Sequence, residues 1–437
     1  VKSAILNPGR VTVLETILIG IALLILALLG APLFVIIAAI ALLSFHAAGI
    51  DIMAVIIELY RLSASPTLIA IPLFTFAGYM LAESNAPQRL VGVARALFGW
   101  MPGGLAVVAL FSCAFFTAFT GASGVTIVAL GGILLPVLIK ENYTKKFSLG
   151  LMTSSGSLGL LFPPSLPIIL YGFVAGVSVD QLFIAGILPG FLIIGLLAIY
   201  SSYKGITCNV QRTPFSLREI LSSMKNAAWE LPLPFIILVG IYGGFFTVTE
   251  AAAMTAFYVF IVEVLIYRDL KLRAVPNVMR ESMVLVGAIL IILGAALGLT
   301  NYLIDEQVPA QMLSFIEQYI DSRIVFLILL NVFLLGVGAM MDIFSAIIVV
   351  VPLILPIAQE FGIHPVHLGI IFLANLEIGY FTPPVGINLF ISSYRFKETV
   401  IELYKATFPF LIIYLIALLI ITYVPELSLF LVNLFSG

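Results

Sequence analysis

Two stretches decide the fold, GSLGLLFPPSLPIILYG at 156–172 and GYFTPPVGINLFIS at 379–392. Each is an apolar run broken in its middle by a Pro-Pro pair, Pro163–Pro164 and Pro383–Pro384. A proline removes an amide donor and disfavours helix at the residue before it. Two in a row break a helix and free carbonyls, which are costly in a dry medium unless something binds them. A desolvated Na⁺, a hard cation that takes oxygen ligands, suits them. Matching breaks in both halves of one chain argue against a mere kink at each.

The medium follows from composition. The chain has 437 residues, 62% hydrophobic and 10% charged, with mean hydropathy +1.22. Soluble domains are about 45–50% apolar and about 25% charged. A soluble enzyme, a nucleic-acid binder and a disordered chain are excluded, and a net charge of −2 leaves no electrostatic footprint for nucleic acid. The class is an all-α polytopic membrane protein in a lipid bilayer. At about 20 residues per crossing, apolar runs read as spans at 11–30, 31–49, 66–83, 147–177, 181–203, 231–248, 250–267, 282–303, 366–393 and 407–424. Two pairs of shorter runs remain, 104–120 with 124–139 and 324–337 with 343–358.

Five loops carry 16 of the 20 cations and fall on one side of this threading. The positive-inside bias makes that side cytoplasmic. Loops 304–323 and 359–365 on the other side are acidic. Both termini then lie outside after ten crossings, although Lys2, Arg10 and Arg61 oppose that assignment. No cleavable signal peptide is visible before the first span.

The halves also align. GYMLAESNAPQRLV (78–91) matches TNYLIDEQVPAQML (300–313), TGASG (120–124) falls near VGAMMD (337–342), and ILLPVL (133–138) near VVVPLI (349–354). The first short pair lies between cationic loops and the second between acidic ones, so the copies are inverted. Inverted repeats with broken helices are the signature of secondary transporters. The expected organisation is a first repeat over 1–203, a cytoplasmic linker over 204–230 and a second repeat over 231–437. The repeats hold re-entrant hairpins at about 104–140 and 324–358, and broken helices at about 147–177 and 366–393. Glycines at the tips (Gly121, Gly124, Gly338) favour hairpins whose exposed backbone lines a cavity.

Polar residues cluster at the breaks: Thr120, Ser123, Thr126, Thr153, Ser154, Ser155, Ser157 and Ser165 in the first half, and Asn375, Thr382 and Asn388 in the second. Of the carboxylates, Asp342 and Glu377 sit deep in spanning regions, and an intramembrane carboxylate is a functional candidate by default. Asp342 is placed to orient substrate or to join cation coupling; Glu377 stays open between a functional role and pairing with a neighbour. Neither site has Lys or Arg, so an anion would be held by helix N-termini and bound cations. Thr247 and Glu250 fit a capping box. Residues 51–63 and 85–99 read as amphipathic arms along the membrane surface. His364 and His367 read as loop residues. An intramembrane enzyme would need a nucleophile and base at one depth, which these histidines and carboxylates do not supply.

TGASG, the two Pro-Pro stretches and GIYGGFFTVTEAAA (240–253) together resemble the large membrane subunit of TRAP transporters, the tripartite ATP-independent periplasmic carriers, over essentially the whole chain. The resemblance implies a sodium-driven elevator carrier of the ion-transporter superfamily in the bacterial inner (cytoplasmic) membrane. It also implies a small TRAP membrane subunit that braces the scaffold and a periplasmic substrate-binding protein that delivers an organic anion. Only about ten residues precede the first expected span, so the small subunit is expected as a separate chain. By the same resemblance two or more sodium ions are bound, with Thr120, Ser123, Gly159, Phe162 and Pro164 at one site and Gly338, Gly379, Thr382 and Val385 at the other. Asp342 matches an acid beside the substrate; Val125, Thr126, Ser165 and Asn375 complete the expected substrate set. Sialic-acid members carry a small hydroxyl residue where Val125 stands here, so a smaller carboxylate such as a C4-dicarboxylate or a sugar acid is expected. A stand-alone sodium- or proton-coupled anion carrier of the same fold is the alternative.

Overall fold

The computed structural model describes residues 13–210 and 214–435. Those residues are helical, with no strand among them. Eight described helices are long and apolar enough to cross a membrane, or nine if one bent pair counts as a single span. The ten crossings expected from apolar runs therefore exceed the eight or nine that pass on helix length and composition.

Both halves carry the expected interruptions. The first hairpin is Gly104–Thr120 and Ser123–Lys140, joined at Gly121–Ala122. Gly121 has φ +62° and donates its amide to the Thr117 carbonyl, ending the first arm in a left-handed turn. A side chain there would also meet Leu166, just past the first break. The first broken helix runs through Lys145–Ser155, a 3₁₀ turn at Leu158–Leu161, then Leu166–Ala175, bent by 46°. The second hairpin is Arg323–Met340 and Ile343–Glu360, and the second broken helix is Pro365–Gly379 and Ile387–Phe396. Both Pro-Pro bonds are cis.

Packing is reciprocal. The second arm of the first hairpin, Ser123–Lys140, lies against Ile387–Phe396, beyond the second break, while the second arm of the second hairpin, Ile343–Glu360, lies against Leu166–Ala175, beyond the first. Lys145–Ser155 packs on Val400–Tyr423, and Pro365–Gly379 packs on Val179–Thr207. Each half's hairpin thus packs on the broken helix of the other half. At the rim Lys145 pairs with Glu398 at 2.5 Å, tying the two broken helices together.

Outside this bundle, Pro66–Glu83 packs on Val248–Phe260 and on the long helix Val275–Asp305. Thr247 and Glu250 form the expected capping box, each accepting from the other's backbone amide. Helices do form at both amphipathic segments, Met53–Ser63 and Ala86–Phe98; the second half has a counterpart to the latter, Val308–Glu317. Arg89 on Ala86–Phe98 is held by Glu230, Glu263 and Asp269, the last two at 3.0 and 2.6 Å. Its guanidinium lies 3.9 Å from the centre of the Tyr267 ring. Burial alone would push Asp269 up, but Arg89 and Asn85 hydrogen-bond it and hold it below the ordinary carboxylate range.

Two expectations need correction. The span expected over 231–248 is the ten-residue helix Leu233–Tyr242, about 15 Å long and too short to cross; Gly243–Gly244 ends it, with Gly244 at φ +71°. His367 is not in a loop: it is 1% exposed in the first turn of Pro365–Gly379, with Nδ1 3.2 Å from Ser428 Oγ and Nε2 3.3 Å from the Thr422 carbonyl. His364 caps that helix by accepting from the Val366 amide. Ser428 belongs to a further helix, Glu426–Phe435, beyond the last expected span.

Candidate functional site

A cavity of about 780 Å³ opens where the hairpin tips meet the outer helices. One wall is the first tip, Gly121 to Val125, with Asp342 from the second tip, Tyr380 before the second break, and Ile387 and Ile391 after it. The facing wall is Tyr79, Ala82 and Glu83 from Pro66–Glu83, and Glu281, Leu285, Ala288 and Ile289 from Val275–Asp305. The two walls come from different sets of helices.

The two tips differ chemically. Asp342 caps the second: its carboxylate accepts from the Ser345 amide at 3.0 Å and from the Ser345 hydroxyl, while the Ile343 amide donates to the Tyr380 hydroxyl at 3.0 Å. The first tip has no side-chain cap. Helix N-termini leave their first amides without intrahelical partners, and those of Ser123, Gly124 and Val125 face no acceptor among the described residues. These residues line the cavity, so its positive end is this backbone. Its side chains are acidic: Glu83, Glu281 and Asp342 lie on the wall, with no Lys, Arg or His.

The expected sodium residues fall into two groups. Around the first break, a side chain at Gly159 would run into the Ala118 amide and Ala114 carbonyl of the first hairpin, and Thr117 Oγ1 donates to the Gly156 carbonyl at 2.8 Å. Thr120 is buried on that hairpin, while Ser123 donates to Asn388 Oδ1 of the second broken helix at 2.7 Å. Phe162 and Pro164 form the break itself; the Gly159 carbonyl accepts from the Phe162 amide, and the Phe162 carbonyl from the Ser165 amide. Around the second break, Gly338 and Gly379 touch backbone to backbone. The Val385 and Gly386 amides both donate to the Ala339 carbonyl, and Thr382 donates to the Ile378 carbonyl at 2.6 Å. The Gly159, Phe162 and Gly379 carbonyls each accept one backbone hydrogen bond and retain a second lone pair, whereas the Ile378 and Ala339 carbonyls already accept two.

The expected substrate residues separate. Asp342 and Val125 are on the cavity wall. Thr126, Ser165 and Asn375 are fully buried away from it. Thr126 bonds Thr117 at 2.7 Å, and Asn375 donates to Asn331 at 2.7 Å and to the Ile371 carbonyl at 2.8 Å. The polarity of Asn375 serves a buried network that continues through Asn331 to Thr422. Glu377 is buried with neither carboxylate oxygen hydrogen-bonded among the described residues. Sequence reasoning missed Glu83, Glu281, Tyr79 and Tyr380. Glu281 was read as the loop before a span starting at 282, but its helix starts at Val275; Glu83 sat in a segment already noted for its repeat.

Reciprocal hairpins, paired breaks and a two-walled cavity are the architecture of a multi-pass membrane transporter. The profile of the family described as "Tripartite ATP-independent periplasmic transporter, DctM component" matches residues 18–427. The chain belongs to this family of TRAP transporter large permease subunits; it is a transporter component and not an enzyme. It is 39% identical over 381 residues to the C4-dicarboxylate TRAP transporter large permease protein of Pseudomonas aeruginosa, covering 86% of this chain and 88% of the relative. It is 34% identical to the isethionate TRAP transporter permease protein of Oleidesulfovibrio alaskensis, covering 83% of this chain and 58% of the relative. With the ectoine TRAP transporter large permease protein of Halomonas elongata it shares 31% identity, covering 94% and 97%. Among solved structures, the YdaH transporter of Alcanivorax borkumensis has the same fold: TM-score 0.58 at 13% identity, covering 82% of this chain and 84% of that one.

Proposed function

We propose that this subunit imports an organic anion, coupled to sodium by an elevator movement, after a periplasmic binding protein delivers the substrate. The observation that carries the reading is the convergence of both hairpin tips and the second break on one cavity whose facing wall belongs to other helices. The uncapped amides at Ser123–Val125 suit a carboxylate or sulfonate. Bound sodium would offset the negative side chains Glu83, Glu281 and Asp342. The residues present fit such ions: a hydroxyl at Ser123, the amide oxygen of Asn388 and the singly bonded carbonyls of Gly159, Phe162 and Gly379 are hard oxygen donors.

Relatives named for C4-dicarboxylates, isethionate and ectoine bracket the substrate as a small, strongly polar organic ion. The family implies a small membrane subunit and a periplasmic binding protein as partners, and the inner membrane is the site of action in this reading. The test is uptake by proteoliposomes containing both membrane subunits, with and without the cognate binding protein. Uptake that needs the binding protein is expected; equal uptake without it favours the stand-alone carrier.

A further inference from the structure

A second cavity, of about 480 Å³, lies between the first hairpin and the scaffold. Its inner wall is Phe111, Phe115 and Phe119 of the hairpin, with Phe162 and Pro163 at the first break. The outer wall is Val93 and Leu97 of Ala86–Phe98 and Leu238 of Leu233–Tyr242. Only one hydroxyl lines it, that of Ser112, which is buried and has no hydrogen-bond partner. Water needs two to four polar partners to settle in a cavity, so water is a poor occupant. A dry void would forfeit the dispersion contacts of every ring around it.

Lining residues Phe191, Phe235 and Leu97 are 51%, 69% and 38% exposed, so the cavity opens sideways onto the face that meets hydrocarbon. At one edge, Leu217–Asn226 packs on Ala86–Phe98. That corner carries Arg95, Arg218 and Lys225, all exposed and none in an ion pair among the described residues. Trp100 and Phe215 stack edge-on beside them at 6.1 Å. Cations with aromatic rings next to an apolar slot match a lipid headgroup above its chain.

We propose that this cavity holds one acyl chain of an anionic phospholipid whose phosphate is neutralised by Arg95, Arg218 and Lys225. The walls belong to the hairpin bundle on one side and to the scaffold on the other, so the lipid sits as a wedge at their boundary. The binding site stands on its own walls whether or not the bundle moves.

The test places a photoreactive benzoylphenylalanine at Phe115 in the purified complex with the small subunit. The complex is held in nanodiscs of phosphatidylglycerol or of phosphatidylcholine, and intact-protein mass spectrometry reads the adduct. A phosphatidylglycerol adduct is expected, at least fivefold above that from phosphatidylcholine. Leu238→Trp, which fills the slot, and Arg95→Glu with Lys225→Glu, which reverses the charge, should each cut it at least fivefold. The two lipid compositions compare one unfilled protein, so the test survives a failure of either variant to fold. Crosslinks to the small subunit alone, no lipid adduct, or equal adducts from both lipids would overturn the proposal.

Discussion

Gly379→Ala is the sharpest perturbation of the proposed ion site. A methyl group at Gly379 would lie 2.5 Å from Gly338 Cα and 2.7 Å from the Gly338 carbonyl oxygen, where ordinary contact is 3.4–4 Å. Both partners are backbone, so the second hairpin tip must retreat by about an ångström. Overpacking of this kind costs about 1–3 kcal/mol. If the cost falls on the ion-bound state, sodium affinity drops about fivefold to about a hundredfold, at 1.4 kcal/mol per tenfold. The assay is the sodium concentration that half-saturates uptake in proteoliposomes, together with thermal stabilisation of the purified complex by sodium. Gly336→Ala is the control, since nothing lies within 4 Å of a methyl group there. An unchanged sodium dependence in Gly379→Ala would refute the placement of an ion between this tip and this break.

Other expectations follow from the same geometry. Arg89→Ala leaves Glu230 and Glu263, 1% and 0% exposed, as buried carboxylates without a cationic partner, at a cost of about 3–5 kcal/mol; thermal unfolding should show a large loss that Glu263→Gln in the same background partly restores. Asp342→Ala should impair uptake at least tenfold while the complex still assembles, because loss of a helix cap costs only about 1 kcal/mol; wild-type uptake would remove Asp342 from the site. Asn375→Leu should lower thermal stability by breaking the bond to Asn331 while leaving the substrate concentration for half-maximal uptake unchanged.

The features legible in the sequence were those with an unavoidable cost in lipid. Paired prolines, tip glycines and the Asp342 carboxylate each leave backbone or charge that a membrane cannot solvate, so they announce themselves. Cations report only sidedness, and hydropathy only apolar length. Neither distinguishes the ten-residue Leu233–Tyr242 from a full span. Glu83 and Glu281 escaped because charges at the ends of apolar runs look like loop residues; what makes them wall residues is the tertiary placement of their helices against the hairpin tips. In the sequence Asn375 and Thr126 read like the wall residue Asp342, whereas the structure buries both off the cavity wall. A buried polar side chain reads alike whether it meets a ligand or another side chain.

The central claim is that sodium drives transport through the two tip-and-break sites. Proteoliposomes holding both membrane subunits and loaded binding protein should accumulate substrate under an inward sodium gradient and lose that uptake when sodium is replaced by potassium. Equal accumulation driven by a pH gradient with no sodium present would contradict the account.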